Sequence, residues 1–302
     1  MRLLITVLII SISAACKGPQ ASSTAGSTES GNSVPTPSPA PAPSPTPTPA
    51  PAGLLPWDTG AVYTSTVYIS PTGNDANAGT QAAPFATVNR GLQGAQPGRD
   101  IVMLSGSYNA VGFISPPAGT RTNPIRIRGM GTVTISSSGL NPVVHMTDPR
   151  YIVIENITFN SPGMHALNID DGGSYNTPGD YFILRNSRIL VGQPTGNIDC
   201  VKMSGINNFF VQGNEFTGCG TGGEGLDMVG CHNGIITGNN FHDIRYMGVQ
   251  TKGGSSDVLI HGNIFRNIGT TTAGGHALQL GGGTDGELVR PFRAPYEAER
   301  IQ

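Results

Sequence analysis

The segment FVQGNEF, residues 210–216, recurs along the chain in altered form. YIVIENITF (151–159), FILRNSRI (182–189), IITGNNF (235–241) and VLIHGNIF (258–265) share its shape: a β-rich triplet, then an Asn, then an aromatic or aliphatic residue. The shared residues are Asn156, Asn186, Asn214, Asn239 and Asn263, at spacings of 30, 28, 25 and 24. Such drift suits a solenoid whose coils carry loops of unequal length. Asn side chains stacked at one corner form an amide ladder in which each satisfies the next. That accounts for the recurrence without any catalytic role.

A second strand per coil accompanies the repeat. ALNID (166–170), CVKMS (200–204), GLDMV (225–229), GVQTK (248–252) and ALQLG (277–281) carry mostly apolar residues at their second and fourth positions. Side chains alternate across a strand, so those positions face the coil interior and the others face outward. Equivalent residues of successive coils lie about 4.7–4.9 Å apart. One outward column then reads Asn168, Lys202, Asp227, Gln250, Gln279, and the next reads Asp170, Ser204, Val229, Lys252, Gly281. Just before the strands lie His165, Asp199, Glu224, Met247 and His276.

Composition agrees with this reading. The chain holds 43 glycines among 302 residues, only 12% charged residues and a formal net charge of −2. Gly and Asn disfavour long helices and suit short strands joined by tight turns. No strongly basic footprint is present, so no nucleic-acid partner is expected.

The run from Val67 to Asn109 contains a strand, a Gly/Asn/Asp loop, a short helical piece around Ala86 to Gln93 and a second strand, Asp100 to Leu104. It resembles the N-terminal cap of the right-handed parallel β-helix proteins found among polysaccharide lyases and their relatives. The expected fold is therefore all-β: a right-handed parallel β-helix of roughly eight coils, its ends needing polar caps.

The N-terminus reads MRLLITVLIISISAAC. A positive start, an apolar run too short to span a bilayer and small residues before Cys16 resemble a bacterial lipoprotein signal, with Ser13 standing where Leu is usual. The resemblance implies cleavage after residue 15, lipidation of Cys16, export, and anchoring to the outer membrane or cell surface. An ordinary secretory signal is the alternative, and it too implies export. Residues 16–56 are rich in Pro, Ser and Thr, with proline at every second position from Pro35 to Pro51. They are expected to form an extended polyproline stalk of roughly 50 Å. The β-helix domain is assigned to residues 57–302. Its last residues, 297–302, read as the approach to another strand with no cap after it, so the solenoid is expected to be C-terminally incomplete. A monomer is expected. Cys200, Cys219 and Cys231 are an odd number for an exported protein; one disulfide plus a buried thiol, and three buried thiols, both fit.

The acids raise the question of chemistry. Carboxylates on adjacent rungs repel one another unless a cation sits among them. Asp199, Glu224 and Asp227, with Asp170 one coil away, are hard oxygen ligands on a rigid frame, which favours Ca²⁺ over Zn²⁺. Such a cation reverses the sign of an acidic groove and stabilises charge on a uronate carboxyl group as its α-proton leaves. Lys252 is the candidate base and Lys202 the other, although Lys202 stacks beside Asp227 and reads better as its salt-bridge partner.

The pattern resembles the family 9 pectate lyases, β-helix enzymes with an Asp-cluster Ca²⁺ site and a Lys base. Asp199 matches the family's first Asp, and Glu224 and Asp227 match the second and third acids of its middle motif, Asp-Asp-Gly-aromatic-Asp. Gly223 stands where the family has an Asp. Gln250 stands where it has the basic Lys, and Lys252 follows two residues later. The resemblance implies an acidic polysaccharide as partner and Ca²⁺-assisted β-elimination as the reaction. A C5-epimerase shares the proton abstraction. A non-catalytic surface glycan-binding protein, or adhesin, on the same solenoid is the principal rival; there the acids are solvated surface groups or turn caps. An inverting glycosidase using paired carboxylates is a third reading, weakened by the absence of Arg-Ile-Lys and Gly-His-Gly signatures.

Overall fold

Three short strands per coil, joined at corners, build the molecule. The structure, a computed structural model, describes residues 55–174, 176–270 and 275–281. The expectations for residues 1–54 and for 297–302 lie outside the described residues. The five-residue helix Val88–Leu92 is capped at its start by Thr87, whose side chain accepts from the Arg90 amide. It falls within the helical piece expected around Ala86 to Gln93.

All ladders are parallel, as a solenoid requires. A first wall contains Arg150–Glu155, Gly179–Arg185, Phe210–Gln212, His232–Thr237 and Ser256–His261. A second contains Thr158–Ser161, Arg188–Val191, Glu215–Gly218, Asn240–Ile244 and Ile264–Ile268. The strand Ile125–Ser136 turns the corner between them, its first residues pairing with Ile152–Glu155 and its last with Thr158–Asn160. The third wall is a separate seven-stranded sheet: Gly112–Ile114, Val144–Thr147, Leu167–Asp170, Val201–Ser204, Glu224–Val229, Met247–Lys252 and Leu278–Leu280. The described residues thus make about seven coils, where roughly eight are expected over residues 57–302.

Register on the third wall is the expected one. Asn168, Lys202, Asp227, Gln250 and Gln279 align on successive rungs, and so do Asp170, Ser204, Val229 and Lys252. The alternate positions point inward, where Leu167, Val201, Leu226 and Val249 are wholly buried. Burying each such side chain stabilises the fold by about 1.5–3 kcal/mol. On the second wall, Phe216, Phe241 and Phe265 stack ring on ring at centroid distances of 4.4 and 5.0 Å.

The Asn repeat divides into two columns. At the corner after the first wall, Asn156, Asn186, Gly213, Gly238 and Gly262 share the left-handed conformation, with φ of 58°, 50°, 65°, 64° and 63°. Gly and Asn are the residues that tolerate it. The buried ladder stands one position later and contains Ser187, Asn214, Asn239 and Asn263. Asn156 and Asn186 therefore belong to the corner and not to the ladder, because Asn suits both positions and residue identity alone does not separate them.

On the outer face of the first wall, Trp57 is buried against Tyr151 and Tyr181, with ring centroids at 5.6 and 5.8 Å. Its neighbour Asp58 pairs with Arg185, which also pairs with Glu155. Glu155 in turn meets Arg126, and Arg126 meets Asp100. Cys200 and Cys219 form a disulfide, and Cys231 is a buried free thiol.

Candidate functional site

The third wall presents its acids at the corner where the chain enters each rung. Asp199 precedes the Val201–Ser204 strand, and Glu224 opens the next one over, so the register aligns the two. Asp227 lies three residues further along the same strand. Carboxylate oxygens of Asp199, Glu224 and Asp227 all lie within 4.8 Å of one another. The sequence places these acids on a solvated face; the structure buries them, with exposures of 0%, 3% and 0%. They are covered by longer side chains from neighbouring rungs.

Lys202 and Lys252 form much of that cover. Lys202 Nζ donates to Asp227 Oδ2 at 2.8 Å and lies 3.8 Å from Asp199 Oδ2. Lys252 Nζ lies 3.0 Å from Asp227 Oδ1 and donates to Gln250 Oε1 at 3.2 Å. From sequence, Lys252 stands a step further along its strand than the base of the resembled family. Its flexible stem brings the ammonium group back over Asp227. The sequence-based pairing of Lys202 with Asp227 is present.

His165, one rung before Asp199, completes the surround. Its Nδ1 accepts a hydrogen bond from the Asp199 amide at 2.8 Å and lies 3.6 Å from Asp199 Oδ2. Its stacking position just before a strand, like that of Asp199, was the signal for this contact. With its side-chain amide turned over, Asn197 would donate to Asp199 Oδ1 at 3.3 Å and to the Gly222 carbonyl at 3.0 Å. The Glu224 amide donates to Asp199 Oδ1 at 3.0 Å, which fixes the aspartate against its neighbour's backbone.

Asp170 stands apart from this group. It accepts from His145 Nε2 at 2.7 Å, from Asn168 Nδ2 at 3.0 Å and from the Gly172 amide. Its rung partner is Ser204, two residues along from Lys202. Gly223 has a structural reason to be glycine: a Cβ there would overlap the Ile198 carbonyl oxygen. The family's additional Asp does not fit this backbone path.

Electrostatics distinguish the members. Burial pushes the Glu224 carboxyl up to about 9, helped by the neighbouring charges of Asp199 and Asp227, with Lys252 opposing. Burial works against the charge on Lys202, but the hydrogen bond to Asp227 and the charges of Asp227, Asp199 and Glu224 outweigh it. Its pKa is held above the ordinary 10.5. An ammonium so held is a counter-charge and a poor base.

Two buried oxygens test whether a cation fits. Asp199 Oδ2 and Asp227 Oδ1 have no hydrogen-bond partner. Lys252 lies close to Asp227 Oδ1 but not in hydrogen-bonding geometry. Unsatisfied buried carboxylate oxygens are costly, and hard oxygens converging on one point are what Ca²⁺ binds. The donor set fits such an ion. Protein ligands alone number fewer than the 6–8 oxygens Ca²⁺ takes, which leaves positions for substrate or water.

A family model described as a right handed beta helix region matches residues 125–287, which is more than half of the chain. Another, described as a protein of unknown function (DUF1565), matches residues 71–142. No curated protein matches the sequence. Among solved structures, pectate lyase Pel9A is similar at 15% identity and a TM-score of 0.37, over 67% of this chain and 56% of that one. A GH136 lacto-N-biosidase from Eubacterium ramulus is similar at 14% identity and a TM-score of 0.39, over 72% of this chain and 55% of that one. A rhamnogalacturonan lyase is similar at 13% identity and a TM-score of 0.39, over 76% and 66%. The chain thus spans little more than half the length of the first two.

Proposed function

Because the chain belongs to the right-handed β-helix family, we propose that it binds an acidic polysaccharide along its third wall and cleaves it by Ca²⁺-assisted β-elimination. The supporting observation is the buried triad Asp199, Glu224 and Asp227, with two oxygens lacking hydrogen-bond partners and Lys252 at its rim. A Ca²⁺ held by these three carboxylates would supply positive charge opposite the uronate carboxyl group, where negative charge builds.

The chain's own groups perform the remaining steps. Lys252 takes the proton from the carbon α to the sugar carboxyl group, which requires its ammonium to be freed from Asp227 and deprotonated. The electron pair left behind forms a carbon–carbon double bond as the β glycosidic C–O bond breaks, and the leaving oxygen takes a proton from water. Lys202, held as a cation, pairs with the sugar carboxylate. His165 keeps Asp199 in place through its backbone amide. Export and a lipid anchor at Cys16 belong to the same proposal. The Cys200–Cys219 disulfide supports export, because disulfides persist in oxidising compartments.

The pairing of both lysines with Asp227 favours a second reading, a non-catalytic glycan-binding protein, since paired ammonium groups are poor bases. One experiment separates the two. The protein is incubated with a panel of uronic-acid polymers, with and without Ca²⁺, and ultraviolet absorbance is followed. Elimination predicts Ca²⁺-dependent growth of absorbance from unsaturated sugar ends. Retention of polymer without absorbance supports the binding protein, and reducing ends without absorbance indicate hydrolysis.

A further inference from the structure

The triad is flanked by its own cations. Two of the three carboxylates meet two ammonium groups, from the coils on either side of Asp227: Asp227 lies 2.8 Å from Lys202 and 3.0 Å from Lys252, and Asp199 lies 3.8 Å from Lys202. The acids are buried, while the lysine side chains keep 30% and 23% of their exposure and so form the outer layer. Yet the lysines leave the triad incompletely satisfied. Asp199 Oδ2, on a fully buried residue, has no hydrogen-bond partner. The lysines thus neutralise the site without filling it.

We propose that Lys202 and Lys252 are built-in counter-ions that compete with a divalent cation for the triad, so that cation binding and anionic-glycan binding strengthen each other. This rests on reading the triad as a cation site. A divalent ion and the two ammonium groups cannot all pair with Asp227, because like charges at such separations repel strongly in a buried setting. Lysines displaced from Asp227 lose their counter-charge and regain it from a carboxylate in the groove. The glycan that supplies that carboxylate thereby lowers the cost of releasing them. Linkage makes the effect reciprocal: the factor by which glycan raises cation affinity equals the factor by which cation raises glycan affinity.

Both residues lie at the outward edge of the wall, where a bound polymer would run. Lys202 and Asp227 share one outward column, and Lys252 lies in the adjacent column one rung on. In this chain Gln250 occupies the rung position beside Asp227, and the lysine comes two residues later.

Calorimetric titration of Ca²⁺ into the chelator-treated full chain tests the proposal, with and without a saturating galacturonate oligomer. The wild type is expected to gain about five-fold or more in Ca²⁺ affinity when the oligomer is present. Lys252→Gln is expected to bind Ca²⁺ about five-fold tighter than wild type without glycan, and to show less gain on adding it. Lys202→Gln is the second variant. Each leaves one ammonium on Asp227, so neither strips that buried carboxylate of its counter-charge, and melting curves verify folding. The proposal is overturned if both folded variants bind Ca²⁺ no tighter than wild type. Coupling without any ultraviolet product would uphold it and sink elimination. Tight binding by the variants alone would mean that the lysines outcompete the ion in the native chain. If none of the three proteins binds Ca²⁺, this proposal and the Ca²⁺-assisted reaction fall together.

Discussion

Glu224 connects the chemistry of the triad to the stability of the fold. Its carboxyl is pushed up to about 9 by burial and by Asp199 and Asp227, against an ordinary value of 4.5. Between those values the folded protein holds a proton that the unfolded chain has lost, so stability must fall as pH rises. The contribution is complete below about 4.5 and gone above about 9. Glu215 and Asp243 are shifted the other way, below their ordinary 4.5 and 3.8, so their effects lie at lower pH. Chelator-treated protein should therefore lose melting temperature between about pH 5 and 9, and Glu224→Gln should show a flatter profile over that range. Equal slopes for the two proteins would refute this. At this scale the sequence brought Asp199, Glu224 and Asp227 together, because their rung positions follow from strand alternation, but it also set Asp170 with them, which pairs with His145 instead. It did not reveal their burial. That depends on where the stems of Lys202, Lys252 and His165 lie, and long flexible side chains are not ordered by periodicity. The glycine at Gly223 was visible as a departure, but its cause, the nearby Ile198 carbonyl, is a tertiary contact.

The strand and its corner are the unit that sets the rungs, and here two chemistries share one residue type. Asn239 is fully buried and satisfies four groups. It accepts from the Asn214 amide at 2.9 Å and from Asn214 Nδ2 at 3.0 Å, and donates to the Val211 carbonyl at 2.8 Å and to Asn263 Oδ1 at 2.9 Å. Replacing it with Ala removes the acceptor of the buried Asn214 amide and the side-chain donor to the Val211 carbonyl, while Asn214 Nδ2 keeps the Leu184 carbonyl and Asn263 Oδ1 keeps the residue-239 amide. A loss of about 2–4 kcal/mol follows, read from urea unfolding. Asn186 has a different role. It holds φ of 50° at the corner and stands in the column of Gly213, Gly238 and Gly262. Asn186→Gly should be within about 0.5 kcal/mol of wild type, whereas Gly213→Ala should cost about 1–2 kcal/mol through the left-handed backbone. Similar costs for Asn239→Ala and Asn186→Gly would reinstate a single Asn ladder. The repeat itself was legible because apolar alternation and coil spacing persist over five coils. The split of its Asn residues was not, because the corner accepts either Gly or Asn while the ladder needs an amide one residue on.

Across the whole molecule, a solenoid is a chain of nearest-neighbour contacts, so long-range cross-links change how far a disturbance travels. Two features of this kind escaped the sequence pattern. Trp57 and Asp58 strap the outer first wall, reaching Arg185 across 127 residues, and no period predicts such a contact. A single disulfide was one of two open alternatives, and three cysteines do not fix which two pair; the structure joins Cys200 to Cys219. This disulfide joins the residue after Asp199 to the end of the second-wall strand Glu215–Gly218, with Cα atoms 5.2 Å apart, and so closes one coil on itself. Cys231 takes no part: it is buried, and burial pushes its thiol up to about 12, which leaves it unreactive in the folded protein. The bond has two expected consequences. Opening a loop of this size costs about 3 kcal/mol of stability. Because coupling in a solenoid is local, most of that loss should appear near the site and not along the whole spool. Hydrogen exchange on the Cys200→Ala, Cys219→Ala double variant tests this. Amides of the Val201–Ser204 and Glu224–Val229 strands should exchange faster, while those of Ile125–Ser136 and Arg150–Glu155 keep their native rates. Uniform acceleration along the chain would mean that the coils unfold as one cooperative body, and that the cross-link guards the global fold instead of the corner that holds Asp199.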